Sequence, residues 1–86
     1  MPIISAFFGI IVRMYFDDHN PPHFHVEFHG QDAMVNFQGR IIEGEIDSAT
    51  ARKLIHRWAT LRRFELEANW RRAKKLQPLK NIAPLE

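Results

Sequence analysis

Hydrophobic and polar residues alternate along the first half of the chain, which is the period of a β-strand. Residues 10–16, Ile-Ile-Val-Arg-Met-Tyr-Phe, are rich in β-branched and aromatic side chains, so we expect a strand there. Residues 23–29 alternate strictly, with His or Glu at odd positions and Phe or Val at even positions. One face of this second strand is therefore predicted to be apolar, whereas the other carries imidazoles and a carboxylate.

Turn residues divide the first half of the chain into an antiparallel meander of three to five strands. Gly9 predicts a bend or bulge after the apolar opening at residues 3–8. Turns rich in Gly, Gln and Asp leave two further strands, at residues 33–37 and 41–46. In the last of these strands, we expect two side chains to face the core: Ile42 and Ile46.

Helical periodicity replaces the alternation after residue 47. Ser48 is a predicted helix N-cap. An apolar stripe at helical spacing follows it: Ala51, Leu54, Ile55, Trp58 and Leu61. A straight helix over residues 48–76 would rotate this stripe out of phase with the next apolar residues, so we expect a bend near residues 60–63. One long projecting helix is the alternative. Pro78 ends the helical region.

These elements predict an α+β fold in which one or two C-terminal helices pack across the apolar face of a small antiparallel sheet. We expect one domain over residues 1–86, because the chain is too short for a second core. The sheet occupies residues 1–47 and the helical region 48–76. Residues 77–86 form an extended tail, which we expect to be pinned by Leu79 and Ile82.

Composition restricts the metal ligands and the cellular location that we expect for this domain. The chain has no cysteine, which excludes disulfides and thiolate zinc sites, so that any metal must use His and carboxylates. The start lacks the basic segment of a signal peptide, and the longest apolar run, residues 7–12, is too short to span a membrane. We therefore expect a cytoplasmic protein with no membrane partner.

Charge is unevenly distributed although the net charge is only +2. Residues 1–47 hold two basic and seven acidic side chains, whereas residues 48–86 hold ten basic and three acidic ones. This asymmetry favours a nucleic-acid or acidic protein partner, with Arg57 and Arg63 as candidate contacts. A solvated helix face is the alternative. Trp58 and Trp70 fall on or near apolar stripes, which favours core packing over base stacking.

The candidate chemistry lies at residues 17–29, which contain four of the five histidines. His23 and His25 on one strand face would lie about 7 Å apart at Cβ, close enough to converge on one divalent cation. His19 or Asp18, from the preceding loop, would supply a third ligand. No cofactor is required by the sequence, but a divalent metal bound by His19, His23 and His25 is one interpretation.

Two further interpretations use the same residues without a metal. His23 and His25 are candidate acid and base catalysts near neutral pH, with Arg13 holding a phosphate, which would suit cleavage of RNA phosphodiesters. Alternatively, the imidazoles brace the loop by contacts with Asp18 and Tyr15. The pairing of the two strands bears on this: one register sets Arg13 opposite Glu27, and the other sets Arg13 beside His25. The sequence leaves both open.

The sequence resembles a family of very small bacterial proteins described as a domain of unknown function. The resemblance rests on residues 18–26, Asp-His-Asn-Pro-Pro-His-Phe-His-Val, on residues 9–15 before them, and on Trp58 and the pair at 69–70. It implies a stand-alone bacterial protein, often encoded beside a second small protein, as in two-gene toxin–antitoxin modules. It implies no catalytic residues.

The functional prediction is a non-enzymatic binding module of such a two-gene system. Its candidate partners are the small protein encoded by the adjacent gene and nucleic acid. Candidate binding residues are Arg13, Tyr15, Asp18, His19, Arg57 and Arg63. The alternative is a small hydrolase acting on RNA through His23 and His25, with or without a metal. The sequence does not decide whether the protein is an enzyme, and it does not predict the oligomeric state.

Overall fold

A computed structural model describes residues 2–86 as one five-stranded antiparallel sheet followed by two helices. The strands are β1 (Ile3–Phe7), β2 (Ile10–Arg13), β3 (His23–Phe28), β4 (Gln31–Asn36) and β5 (Ile41–Gly44). The helices are α1 (Ala49–Leu61) and α2 (Arg63–Lys74). Each strand pairs with the next in chain order, which confirms the predicted α+β meander. Met1, the first residue of the predicted sheet region, lies outside the described residues.

Two tight turns join strands at one end of the sheet. Phe8 and Gly9 have φ values of 50° and 81°, and His29 and Gly30 have values of 49° and 80°. Positive φ at both central residues is what a type I′ turn requires, and its twist matches that of the flanking strands. The bend predicted at Gly9 is therefore a hairpin turn between β1 and β2.

The register of β2 against β3 sets the surroundings of the histidines. Arg13 pairs with His25, and Ile11 pairs with Glu27. This is the second of the two registers that the sequence left open. β2 is also shorter than predicted, because Met14 leaves the ladder and donates its backbone N–H to the carbonyl of Pro2 at 3.3 Å. The chain then departs from the sheet toward α2.

The core lies between the helices and one face of the sheet. Trp58 is fully buried, and its ring centroid lies 5.5 Å from that of Phe24 and 5.4 Å from that of Phe7. Each large apolar side chain buried in this way stabilises the fold by roughly 1.5–3 kcal/mol. Trp70 is also buried, at 8% exposure, so the prediction that both tryptophans serve the core is confirmed.

Two residues predicted to face the core are exposed. Ile42 is 43% exposed, because the register of β4 against β5 shifts between Met34 and Val35 and leaves Ile41 to pack against the core. Leu61 is 58% exposed. The buried residues of α1 centre on Ile55, and at 100° per residue Leu61 lies about 120° around the helix from it. Both predictions were therefore wrong: each assigned to the core a side chain that faces outward.

The boundaries of the helices agree with the predicted signals. The Ser48 hydroxyl accepts a hydrogen bond from the backbone N–H of Ala51 at 3.0 Å, which caps α1. Arg62 has φ −107° and interrupts the helical path, which confirms the bend predicted near residues 60–63. Within residues 2–86, neither helix has the length and apolar character needed to cross a membrane.

The C-terminal tail packs back across the domain without forming a helix or strand. Ile82 and Leu85 are buried, and the backbone N–H of Ile82 donates to the carbonyl of Ile4 at 2.7 Å. The Trp58 indole N–H donates to the carbonyl of Ala83 at 2.9 Å. Leu79 is half-buried against the core. The predicted pinning of the tail by Leu79 and Ile82 is therefore confirmed.

Candidate functional site

The loop between β2 and β3 brings one carboxylate against two imidazoles. Asp18 Oδ2 lies 2.9 Å from His23 Nε2 and 3.1 Å from His25 Nε2. One ligand atom from each of these residues lies within 4.8 Å of the others. We call Asp18, His23 and His25 the histidine cluster. Two nitrogens and an oxygen at this spacing are a donor set that a divalent metal ion could use.

Both the strand and the loop contribute to this arrangement. The two-residue period of β3 places His23 and His25 on the side opposite Phe24, which is buried in the core. The loop is tied to the end of α2, because the backbone N–H of Asp17 donates to the Ala73 carbonyl at 3.2 Å. The Lys74 ammonium also donates to the backbone carbonyl of Asp18. These contacts hold the carboxylate over the strand.

His23 is the most enclosed member of the cluster. Its side chain is 0% exposed, and the Trp70 ring lies 5.5 Å away between centroids. Its Nδ1 lies 2.7 Å from the carbonyl oxygen of Pro21, and since that oxygen only accepts, Nδ1 carries a proton. Nε2 is buried and has no hydrogen-bond partner of acceptable geometry, although Asp18 Oδ2 is close. The short distance is a close contact without the alignment of a hydrogen bond.

His25 is the accessible member of the cluster. Its side chain is 26% exposed, and Nε2 makes a hydrogen bond with Asp18 Oδ2 at 3.1 Å. The edge of the Tyr15 ring packs against it, with ring centroids 4.4 Å apart. His25 also lines a surface cavity of about 410 Å³, together with Arg13 and Asp32. Of the two imidazoles in the cluster, only that of His25 is therefore open to solvent.

The carboxyl group of Asp18 is stabilised in its charged form. Partial burial raises its pKa, but the hydrogen bond with His25, the nearby His23 and the hydrogen bonds with His19 outweigh burial. The net effect is that the pKa of Asp18 lies below its usual value. The cluster thus contains a carboxylate, not a carboxylic acid, at neutral pH.

His19 does not join the other two histidines. Its side chain is 81% exposed, and its Nδ1 lies 3.3 Å from Oδ1 of Asp18, whereas His23 and His25 contact Oδ2. Its ring centroid lies 6.0 Å from that of His23, and its backbone N–H donates to the same Oδ1 at 3.1 Å. Of the two predicted third ligands, the structure therefore brings Asp18, and not His19, to His23 and His25. The loop geometry that decides this is not visible in the spacing of the residues.

Arg13 is already paired. Its guanidinium lies 2.8 Å from Glu27 Oε1, and this hydrogen bond raises the pKa of Arg13. The contact is diagonal across the two strands, since Arg13 pairs in register with His25. The carboxylate of Glu27 therefore neutralises the guanidinium charge that we expected to hold a phosphate.

A second surface of interest is the solvent-facing side of α1. A shallow depression of about 690 Å³ runs along it. We call five of the exposed residues along it the α1 outer face: Lys53, His56, Arg57, Thr60 and Leu61. Residues 48–64 contain five Lys or Arg and no acidic residue. Within residues 2–86, neither Lys53 nor Arg57 forms an ion pair, whereas Arg63 pairs with Glu67 at 2.9 Å.

An exposed aromatic side chain follows α1 along the chain. Phe64, in the first turn of α2, is 83% exposed and follows Leu61 by three residues across the break at Arg62. The sequence analysis did not single out Phe64. Its signal was available, because Phe64 lies outside the apolar stripes of both helices, but a single off-stripe aromatic residue is common on protein surfaces.

Comparisons with known proteins identify the family. No curated protein and no solved structure matches the chain. A family model described as a domain of unknown function, DUF4160, matches residues 9–71 and so includes β2 to β5, α1, most of α2 and the whole histidine cluster. The match covers well over half of the 86 residues. The chain therefore belongs to the DUF4160 family, whose function is unknown.

Proposed function

We propose that this protein is a non-enzymatic binding module that holds an acidic, amphipathic segment of a protein partner against the α1 outer face and Phe64. The observation that carries the proposal is the 83% exposure of Phe64 in a stretch that has no acidic residue. A phenyl ring left in water forgoes roughly 1.5–3 kcal/mol of burial free energy. A partner that covers it would recover that free energy on binding.

The composition of the surface supports a protein partner. Leu61 and Phe64 provide two apolar contacts, which is the pattern of an interface centre, and Lys53 and Arg57 provide a cationic rim. Unpaired cations would speed association with an acidic segment and orient it. Nucleic acid is the weaker candidate because both tryptophans are buried and unavailable for base stacking.

The proposed partner is the small protein encoded by the adjacent gene, which we expect from the resemblance to the family. In such a two-gene, toxin–antitoxin-like arrangement, one product commonly restrains the other by direct binding. A cationic, partly apolar helix face suits an acidic helix of that partner, laid with its apolar side on Leu61 and Phe64. The bacterial, cytoplasmic setting is part of the same proposal.

The experiment is a calorimetric titration of this protein with the product of the adjacent gene. Phe64→Ala should weaken binding at least about tenfold, since it removes the most exposed apolar contact. Lys53→Glu with Arg57→Glu should also weaken it and reduce its dependence on salt. Phe8→Ala is the matched control, because Phe8 is 61% exposed but lies in the β1–β2 turn. Unchanged affinity in Phe64→Ala would contradict the proposal, as would RNA binding that needs the same two cations.

The hydrolase alternative has less support. A two-imidazole mechanism needs both rings at the substrate, but His23 is 0% exposed and its Nδ1 is engaged by Pro21. Arg13, assigned to the phosphate, is paired with Glu27. RNA turnover lost in His25→Ala but kept in Phe64→Ala would favour this alternative over the binding module.

A further inference from the structure

We propose that the histidine cluster is a binding site for one divalent transition-metal ion, held by His23 Nε2, His25 Nε2 and an Asp18 carboxylate oxygen. The inference is independent of the partner proposed above. It concerns a different surface, and its test does not use the partner.

The hydrogen bonding of His23 carries the argument. Because Nδ1–H donates to the Pro21 carbonyl, the neutral ring points a lone pair from Nε2 into the cluster. Nε2 lies 2.9 Å from a carboxylate oxygen, in a site where the side chain is 0% exposed. The contact lacks hydrogen-bond alignment, so the lone pair points to one side of that oxygen, and no donor within residues 2–86 bonds this nitrogen. A cation beside the contact would be bound by both atoms.

In many metal sites, a backbone carbonyl accepts a hydrogen bond from the ligand histidine and so fixes its tautomer. The Pro21 carbonyl does this for His23. The interaction orients the ring and raises the basicity of Nε2. His23 is therefore organised as a ligand before the ion arrives, whereas His25 Nε2 must release the proton of its hydrogen bond with Asp18.

Two of the three donor separations match those around a first-row metal ion. Metal–ligand bonds to His nitrogen and carboxylate oxygen are about 2.0–2.2 Å, so two donors at right angles around the ion are about 3 Å apart. The observed separations of 2.9 Å and 3.1 Å from Asp18 Oδ2 match this value. Three protein donors would leave coordination positions free on the exposed His25 side.

The donor chemistry selects the metal class. Two imidazoles with one carboxylate suit Zn²⁺, Co²⁺, Ni²⁺ and Fe²⁺, whereas Mg²⁺ and Ca²⁺ prefer all-oxygen sites. Of the two nearby cationic side chains, Arg13 is neutralised by Glu27. The Lys74 ammonium donates to the backbone carbonyl of Asp18 and keeps its charge.

An imidazolium ion at His23 is the metal-free alternative. It would place a second N–H on Nε2 and direct it at Asp18, forming a buried ion pair. That arrangement gains most when the N–H points along the contact, and here the contact lacks hydrogen-bond alignment. It also places a charged ring in a fully enclosed position, where the loss of hydration opposes the charge.

The test is metal titration of tag-free protein first stripped with a chelator. Zn²⁺ and Co²⁺ should bind with one ion per chain and raise the melting temperature, and bound Co²⁺ should develop a visible absorption band. Mg²⁺ should do neither. His25→Ala and Asp18→Ala should each lower Zn²⁺ affinity by at least about 100-fold. His29→Ala is the matched control and should bind as the unmodified protein does.

Three outcomes would overturn the proposal: absence of one-to-one binding, unchanged affinity in His25→Ala, or loss of affinity in His29→Ala. Because His23 is buried, His23→Ala is interpreted only if circular dichroism shows that it folds. His25 is partly exposed, so its variant keeps the proposal testable even if His23→Ala unfolds. If Zn²⁺ binds and Phe64→Ala leaves partner affinity unchanged, the metal site stands while the binding module fails.

Discussion

His23 and His25 illustrate how two like residues on one strand face can have different environments. The alternation of β3 predicts a shared side for the pair, and both rings do reach Asp18. Yet His23 is fully enclosed and His25 is not, because Trp70 and the preceding loop cover only the start of the strand. The two-residue period of a strand predicts which side of the sheet a side chain faces. Burial depends on elements far away in the chain.

Asn69 has a role that its position in the sequence did not reveal. It is fully buried, donates from Nδ2 to the Lys80 carbonyl at 2.8 Å, and accepts the Lys80 backbone N–H at 3.0 Å. Arg72 donates to the same Asn69 oxygen at 2.8 Å. The partner is mainly the backbone of the tail, and no residue type marks a backbone partner in advance. Asn69 therefore anchors the tail through its side chain, as Trp58 does farther along it.

Replacing Asn69 by alanine should destabilise the protein by about 2–3 kcal/mol, because two backbone groups of Lys80 lose their partner. Urea unfolding followed by tryptophan fluorescence measures this free energy. Asn81→Ala is the matched control, since Asn81 is exposed, and it should change the stability by less than about 0.5 kcal/mol. Equal effects in the two variants would contradict the assigned role of Asn69.

At the level of elements, the helices were more predictable than the last strand. The N-cap at Ser48 and the change of apolar phase near Arg62 are both local signals, and both proved correct. β5 instead carries an irregular register against β4, which exchanges Ile41 for Ile42 at the core. A register shift is a property of two strands together, so the alternation within one strand does not predict it.

Gly44 marks the end of β5 and is a position where glycine is required. Its φ is +84°, and a Cβ atom there would lie 2.8 Å from Ala33 Cα and would also collide with the Asp32 carbonyl. Gly44→Ala should therefore destabilise the fold by roughly 2–4 kcal/mol, from backbone strain and steric overlap together. Thermal and urea unfolding measure the loss.

Gly30→Ala separates these two contributions. Gly30 has a similar φ of +80°, but nothing lies within 4 Å of a Cβ atom built there. It should cost only the strain of the left-handed conformation, about 1–2 kcal/mol. If Gly44→Ala were no more destabilising than Gly30→Ala, the close approach of β4 to Gly44 would have no energetic weight.

Across the whole molecule, the sequence predicted the order of elements and the location of the histidine-rich surface. The meander, the two helices and the packed tail all follow from local patterns of apolar and turn residues. The exact site did not follow from them. Asp18 and His19 are neighbours with equal claims to a metal, and only the anchoring of the loop to α2 decides between them.

The whole fold therefore supplies the third ligand of the proposed site. β3 presents His23 and His25, while contacts between the loop and the end of α2 hold Asp18 over them. A metal ion bound there would join the sheet, the loop and the helix that contacts the loop. Such an ion stabilises the folded chain in proportion to its affinity, because the unfolded chain does not hold the three donors together.

Anomalous X-ray diffraction from crystals grown with Zn²⁺, recorded on both sides of the zinc absorption edge, tests this arrangement most directly. The account predicts one zinc peak per chain about 2.0–2.2 Å from His23 Nε2, His25 Nε2 and an oxygen of Asp18. It also predicts that His19 stays outside the coordination shell. A peak bound by His19, or no peak between the three donors, would contradict it.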